Sequence, residues 1–409
     1  MRERQAPRRR SRPKVGLALA GGGPEGAIYE IGALRALDEA IEGIDLNDLD
    51  LYIGVSAGAF IAANLVNHLT PTQMCRAILK HEPGEHPFRP EIFFTPALAE
   101  FGGRARSVPH LIADSILEFA KNPSDRTLIE SFTRMARALP VGIFANEPIR
   151  HYLERIYSMK GRSDDFRQLE HQLIVVAAEL NSGRSVLFGL DGQDHVPVSR
   201  AVQASTALPG LYPPVMIDGH YYVDGVLNRT LHASVALSRG VQLLLCINPI
   251  VPVDMARAVE SGEMPEDQLV RRGLPTVLSQ TFRTLIHSRL AVGMKAYDER
   301  YPDADVVLIE PERSDYRMFF TNIFSFSARR DVAQHAYRAT RRELARRADE
   351  LAPVLARHGV RLRRDVLADP ERDLWAGVGV GGPAPRRAQG EPVTERLERL
   401  LDRLESLSR

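Results

Sequence analysis

A serine stands between two glycines in Gly54-Val55-Ser56-Ala57-Gly58. The apolar run Leu51-Tyr52-Ile53 precedes it and predicts a buried strand, and residues 59–66 predict an amphipathic helix because they contain no helix breaker. A sharp strand-to-helix turn exposes the hydroxyl of a serine, and glycines on either side let the backbone pass closely. The pattern therefore predicts a nucleophile elbow at Ser56, flanked by Gly54 and Gly58.

A second glycine-rich turn follows the apolar run of residues 15–20 and precedes a helical pattern. Its spacing also fits a dinucleotide site, but such a site needs an acidic residue at the end of the next strand, where this chain has the serine turn. Backbone N–H groups aimed at a reacting serine would form an oxyanion hole instead, with Gly22 and Gly23 as the expected donors. The glycines of this loop are Gly21, Gly22, Gly23 and Gly26.

A serine hydroxyl needs a neighbouring base before it becomes a useful nucleophile. Two Asp-Gly pairs follow a proline-rich segment late in the sequence. Asp218-Gly219 separates two short strand-like runs, which predicts a hairpin turn. Asp224-Gly225 ends the second run and opens a loop, so Asp224 is the predicted base.

These three motifs, in this order, resemble the patatin-like phospholipase family and in particular its bacterial members. The likeness extends over about residues 14–250. It implies a three-layer α/β fold, with a mostly parallel central sheet flanked by helices, a helical insertion and a helical C-terminal extension. It also implies a Ser-Asp dyad, with Ser56 as nucleophile and Asp224 as base, and a glycine-rich oxyanion hole.

Two positions depart from the pattern of that family. Its glycine loop usually carries a basic residue just before the last glycine, where this chain has Glu25. Its last motif is usually Asp-Gly-Gly or Asp-Gly-Ala, and here Val226 follows Gly225. Glu25 argues against a strongly anionic head group on the substrate, whereas neither change alters the nucleophile or the base.

The patterns along the chain predict several segments. An apolar pattern over residues 329–358 predicts one long helix, and the insertion is either a helical layer on the sheet or a lid above the serine. The segments are a basic disordered arm at 1–13, a catalytic domain at 14–250 with the insertion at 70–168, a helical extension at 251–375 with a late sheet strand near 305–309, a Gly/Pro-rich linker at 376–392 and a short amphipathic helix at 393–409.

Composition narrows the class of protein. Two cysteines, Cys75 and Cys246, argue against a disulfide framework, and no zinc-type spacing is present, so neither a metal nor a cofactor is expected. The first 14 residues carry a net charge of +6, which suits contact with an anionic membrane, and no pattern indicates nucleic-acid binding. A signal peptide is rejected, because cleavage would remove the strand before the glycine loop. We expect a cytoplasmic protein whose basic arm is either a solvated tail or a peripheral contact with an anionic membrane. The 393–409 helix is expected to contact a partner or a second copy of the chain, or to lie on a membrane.

The expected activity is hydrolysis of a lipid acyl ester by a serine esterase of the phospholipase A or lysophospholipase type. One alternative is a carboxylesterase with a Ser-His-Asp triad, since several histidines follow Asp224 in the chain. A second is a lipid-binding or scaffold protein on a hydrolase fold, and a third is acyl transfer to an acceptor other than water. The histidines in question are His232, His287, His335 and His358.

Overall fold

The structure is a computed structural model that describes residues 13–79, 90–97, 141–190, 192–315 and 326–379. Apolar runs between glycine-rich turns form the strands of these ranges. The strands are β1 Val15–Leu19, β2 Ile41–Glu42, β3 Leu51–Val55, β4 Gln172–Glu179, β5 Ser185–Phe188, β6 Val215–Ile217, β7 His220–Asp224, β8 Leu243–Ile247, β9 Asp305–Ile309 and β10 Arg361–Leu362.

The helices lie between these strands and after them. They are α1 Gly23–Ala40, α2 Ala57–Val66, α3 Pro71–Leu79, α4 Glu147–Tyr157, α5 Val198–Ser205, α6 Ala233–Ser238, α7 Ala256–Glu260, α8 Gln268–Arg271, α9 Leu274–Arg300, α10 Phe326–Arg346, α11 Ala348–Arg357, α12 Arg364–Ala368 and α13 Leu374–Gly377. Short 3-10 helices lie at Pro90–Phe94, Phe166–Gln168 and Gly225–Leu227.

Eight strands form one mixed sheet in the order β6-β7-β4-β3-β1-β8-β9, with β5 also paired to β4. Strands β4, β3, β1, β8 and β9 run parallel, whereas β5 and β7 pair with β4 in the antiparallel direction. All five residues of β1, β3 and β8 are buried, as expected for parallel strands covered on both faces. This arrangement confirms the predicted α/β class with a mostly parallel central sheet.

Helices cover both faces of the sheet and create two apolar clusters. The larger cluster contains buried side chains of α1, α2, α4 and α10, such as Leu34 and Tyr337. The smaller cluster, on the other face, includes Leu237 of α6 and Leu290 of α9. The sheet is therefore the middle layer, and its strand ends lie between the two helical layers.

The single helix predicted over residues 329–358 is wrong, because two helices occupy that range. α10 ends at Arg346 and α11 begins at Ala348, and the backbone of Arg347 (φ −96°, ψ 11°) departs from helical geometry between them. The Arg347 guanidinium donates to the Leu308 carbonyl oxygen of β9 at 3.1 Å. A tertiary anchor of this kind leaves no signal in the periodicity of the sequence.

Several predicted segments lie outside the described residues. They include the basic arm up to residue 12, most of the insertion (80–89 and 98–140), nearly all of the linker and the whole helix predicted at 393–409. In the part of the chain that the structure describes, no helix is long and apolar enough to cross a membrane.

Candidate active site

Two turns from neighbouring parallel strands meet at one edge of the sheet. The glycine-rich loop follows β1 and Ser56 follows β3, and these strands pair directly, with Leu19 opposite Gly54. Because both strands run in the same direction, their carboxyl ends place the two turns side by side. The Gly58 N–H donates to the Ala20 carbonyl oxygen at 3.0 Å, which ties the turns together.

Ser56 has the backbone strain of a nucleophile elbow. Its φ of 54° and ψ of −122° lie in a region that side chains rarely adopt. The turn persists because the backbone passes closely on both sides: a Cβ on Gly54 would lie 2.3 Å from the Ala59 Cα, and one on Gly58 would lie 2.4 Å from the Leu19 oxygen. Both glycines of the motif are therefore required by packing.

Ser205 supports the backbone of the serine turn through two hydrogen bonds of its hydroxyl group. The Ser56 N–H donates to the Ser205 hydroxyl oxygen at 2.8 Å, and that hydroxyl donates to the Val176 carbonyl oxygen at 2.5 Å. Ser205 belongs to α5 and Val176 to β4, and both residues are fully buried. These bonds satisfy a backbone donor that the sharp turn would otherwise leave without a partner.

Asp224 ends β7, where antiparallel pairing places it opposite Ala177 of β4. Its carboxylate accepts a hydrogen bond from the Val226 N–H at 2.9 Å, and the Ser56 hydroxyl lies close enough to act as a second donor. The side chain is buried, and this burial raises the pKa of Asp224 to about 7, although both hydrogen bonds lower it. Ser56 and Asp224, which are distant in sequence, are thus direct neighbours.

The glycine loop lies beside Ser56. A Cβ on Gly21 would be 3.1 Å from the Ser56 Cβ, and one on Gly22 would be 2.7 Å from the Pro249 Cγ. Among the described residues, the N–H groups of Gly22 and Gly23 have no acceptor, whereas the Gly26 N–H donates to the Gly22 oxygen at 3.0 Å. α1 begins at Gly23, so its positive end faces the same place.

The chain belongs to the patatin-like phospholipase family. The sequence model of that family matches residues 17–237, more than half of the chain, and this range contains the serine turn, the glycine loop and Asp224. The family assignment made from the three motifs is therefore confirmed.

Known relatives of this patatin-like chain are distant. It is 25% identical over 239 residues to the uncharacterized protein R571 of Acanthamoeba polyphaga mimivirus, a match that covers 58% of this chain and 65% of R571. The solved structure of VipD from Legionella pneumophila matches with a TM-score of 0.37 and 15% identity, over 81% of this chain and 66% of VipD. The type III effector ExoU gives 0.36 and 15%, over 80% and 52%. The chain thus spans between half and two thirds of each protein.

Glu25 occupies the loop position that usually carries a basic residue in this family, and a cation reaches it from another element. Arg283 of α9 places its Nη2 3.8 Å from the Glu25 Oε2, and both side chains are mostly buried. Burial raises the pKa of Glu25 to about 7, while Arg283 acts in the opposite direction. The local sequence does not reveal this pair, because Arg283 is remote in the chain.

Three of the four histidines considered for a triad face carboxylates other than Asp224. His335 bonds to Asp315, His358 bonds to Asp305 at 2.6 Å, and His287 faces Glu310 at 4.0 Å. His232 is buried at the start of α6, and burial, with a smaller contribution from Arg229, lowers its pKa to about 4. In the described ranges the recorded partners of the Asp224 carboxylate are Ser56 and Val226, not a histidine.

Sequence reasoning did not assign a role to Ser205 or Pro249. Ser205 lies shortly before the Asp-Gly pairs in the sequence, and nothing in that segment indicates that its hydroxyl supports the serine turn. Pro249 follows β8, and its ring would collide with a side chain at Gly22 or Gly26. Both roles depend on neighbouring strands of the sheet, which bring distant residues together.

Proposed function

We propose that this patatin-like protein is a serine lipid acyl hydrolase, of the phospholipase A or lysophospholipase type, that uses a Ser56–Asp224 dyad. The observation that carries the proposal is the position of the Ser56 hydroxyl beside the buried Asp224 carboxylate, close enough to lower its pKa by hydrogen bonding. A general base must lie within hydrogen-bond reach of the proton that it removes, and Asp224 meets this requirement without an intervening imidazole.

The proposed reaction has two halves. Asp224 accepts the Ser56 proton while the serine oxygen attacks the ester carbonyl, and the protonated Asp224 then returns the proton to the departing alcohol. In the second half, a water molecule gives a proton to Asp224 and attacks the acyl-serine, and Asp224 returns that proton to the departing Ser56 oxygen as the fatty acid is released. The negative oxygen that forms in each half would be stabilised by the N–H groups of Gly22 and Gly23 and by the N-terminus of α1.

The test is a panel of phospholipids and acyl esters assayed with wild type and with Ser56→Ala. We expect release of fatty acid by wild type, loss of release in Ser56→Ala with an unchanged circular dichroism spectrum, and labelling of Ser56 by a fluorophosphonate. Labelling of another serine, or unchanged turnover in Ser56→Ala, would reject the dyad. A wild-type protein that binds lipid without turnover on any ester would favour the scaffold alternative.

A Ser-His-Asp triad is the competing mechanism, and it predicts the opposite result when a histidine is replaced. If an imidazole carried the proton, replacing one histidine by alanine would abolish hydrolysis. We expect each of the four single variants to retain activity within a few-fold of wild type, because the described residues show no hydrogen bond or ion pair between any of these histidines and Ser56 or Asp224. The variants are His232→Ala, His287→Ala, His335→Ala and His358→Ala.

Acyl transfer is separated from hydrolysis by the acceptor. Adding an alcohol such as glycerol or a lysophospholipid to the assay should leave the free fatty acid as the main product if water is the acceptor. A new acyl ester that forms at the expense of the fatty acid would instead identify a transferase with the same Ser56 chemistry.

Two partner proposals concern residues outside the described ranges. We propose that the basic arm contributes electrostatic attraction to anionic membranes, each charge adding about 1 kcal/mol near the surface. Deleting residues 2–12 should weaken vesicle binding at low salt, and equal sedimentation of both forms would reject this role.

Removing residues 393–409 should reduce self-association, as measured by analytical ultracentrifugation, if that segment joins two copies.

A further inference from the structure

Helix α9 has apolar residues on two opposite faces. The inner face packs on the sheet through Ile286, Leu290 and Met294, which belong to the smaller apolar cluster. Residues on the opposite side of the helix are also apolar, yet they are exposed; Leu274 and Val292 each keep 69% of their accessible surface. We call this set the outer stripe, and its members are Leu274, Leu278, Phe282, Leu285 and Val292.

The outer stripe is unusual for a solvent-facing helix surface. Polar residues normally occupy the face of a helix that points away from the core. Here Leu278, Leu285 and Val292 repeat every seven residues and lie on one line along the helix, with Leu285 58% exposed. An exposed apolar line of this length indicates a surface that meets another apolar phase.

The charges along most of the outer stripe are positive, and carboxylates, Asp298 and Glu299, appear only in the last turn of α9. Residues 268–297 contain five Lys or Arg residues and no Asp or Glu, although the average density of the chain predicts about four carboxylates in such a stretch. Arg289 and Lys295 are themselves exposed. An apolar line bordered mainly by cations is complementary to anionic lipid, in which acyl chains lie beneath negative head groups.

Contacts of α9 place it next to the candidate active site. Arg283 faces Glu25 of the glycine loop at 3.8 Å, and the Arg289 guanidinium donates to the Leu227 carbonyl oxygen at 3.1 Å, three residues after Asp224. Gln280 exchanges two hydrogen bonds with the Val253 backbone, beyond the carboxyl end of β8. α9 therefore contacts the segments on both sides of the dyad.

We propose that the outer stripe of α9 docks the protein on the surface of an anionic phospholipid bilayer. Docking would bring the glycine loop and the Asp224 turn close to the lipid, because the same helix contacts both. A second copy of the chain is a poorer occupant, since residues 268–297 of each copy carry five cations and no carboxylate, so two outer stripes face to face would bring like charges together over most of their length. The inference goes beyond the proposed hydrolysis and requires no catalytic step.

The test measures the binding of the full chain to vesicles of phosphatidylcholine and phosphatidylglycerol by flotation. All proteins carry Ser56→Ala so that no lipid is consumed, and binding is measured separately from turnover, so failure of docking and failure of the hydrolase proposal are distinct results. Replacing Leu278 and Leu285 together by Gln should weaken partition about tenfold or more, because two exposed apolar side chains no longer enter the interface. Because every variant contains the basic arm, a difference in vesicle binding between variants does not arise from the arm.

A matched control is available at the opposite edge of the sheet. Met159 follows α4, is exposed and precedes β4, so it lies away from the carboxyl ends of the strands. Met159→Gln should bind vesicles like its parent, whereas Leu285→Gln alone should bind about threefold more weakly. Both variants should melt at the parent temperature.

Three results would overturn the proposal. The first is equal vesicle binding by the Leu278→Gln/Leu285→Gln form and its parent. The second is a loss of self-association by that form with vesicle binding unchanged, which would make the stripe a contact between copies. The third is a large drop in its melting temperature with vesicle binding unchanged, which would mean that another part of the chain covers the stripe.

Discussion

Two buried carboxyl groups near the glycine loop have nearly the same proton affinity but different surroundings. Burial raises the pKa of both Asp224 and Glu25 to about 7. Asp224 accepts a hydrogen bond from the Val226 N–H and lies beside the Ser56 hydroxyl, whereas Glu25 faces the Arg283 guanidinium, and its Oε1 has no hydrogen-bond partner among the described residues. The raised pKa is common to both groups, so the proposed role of Asp224 as base rests on its proximity to the Ser56 hydroxyl.

The largest expected difference between these two regions is in activity. Asp224→Asn should lower hydrolysis about 10⁴-fold or more, close to the effect of Ser56→Ala, because residues that act as a unit fail together. Glu25→Gln should cost less than tenfold, since no reacting group contacts it. Steady-state rates on one ester measure all three variants, and comparable losses in Glu25→Gln and Asp224→Asn would remove the distinction.

The pH dependence of activity sharpens the comparison. Asp224 must be ionised to accept the Ser56 proton, so the rate should fall about tenfold per pH unit below pH 7. Because burial raises its pKa so far, this carboxylate titrates in the same range as an imidazole, and the profile alone does not separate dyad from triad. Glu25→Gln should retain the fall; its disappearance in that variant would assign the titration to Glu25.

Ionisation of Asp224 should lower the free energy of unfolding, although the proposed activity requires the ionised form. Its pKa is about 4 in the unfolded chain and about 7 when folded, so the folded state binds the proton more tightly. The contribution of Asp224 to the free energy of unfolding therefore falls as the pH rises from 4 to 7, and the whole loss is present at pH 8. Asp224→Asn should raise the melting temperature at pH 8 by about 3–5 °C and change it little at pH 4. A lower melting temperature at pH 8 would contradict the buried charge.

The smallest effect concerns the Glu25–Arg283 pair. Glu25→Lys would place two cations together in a mostly buried position and should cost about 3 kcal/mol of unfolding free energy, measured with urea at pH 8. Glu25→Gln removes only one charge and should cost less than about 1 kcal/mol. Adding Arg283→Glu to Glu25→Lys reverses the pair and should recover most of the loss. No recovery would show that the two side chains are not coupled.

Local patterns predicted the strands and turns of the site closely. The predicted strand at 305–309 has the same bounds in the structure, and Asp218-Gly219 forms the hairpin turn between β6 and β7. Each of these features is determined by residues close in sequence. An apolar run specifies the strand, and the Asp-Gly pair, with a positive φ at Asp218, specifies the turn. The break at Arg347 was not predictable in this way, because its guanidinium is anchored on a strand that is distant in sequence.

The sequence by itself determined the family, the strained serine turn and the two residues proposed as the dyad. Those features arise from steric limits between residues that are close in sequence, so the local sequence is sufficient to predict them. Only the tertiary structure decided that Ser56 contacts Asp224, that Ser205 supports the turn, that Glu25 meets Arg283, and that α9 leaves an apolar face exposed beside the site. These depend on which distant segments share a strand edge or a buried space, and burial also determines the pKa of Asp224, because desolvation is a property of the folded chain.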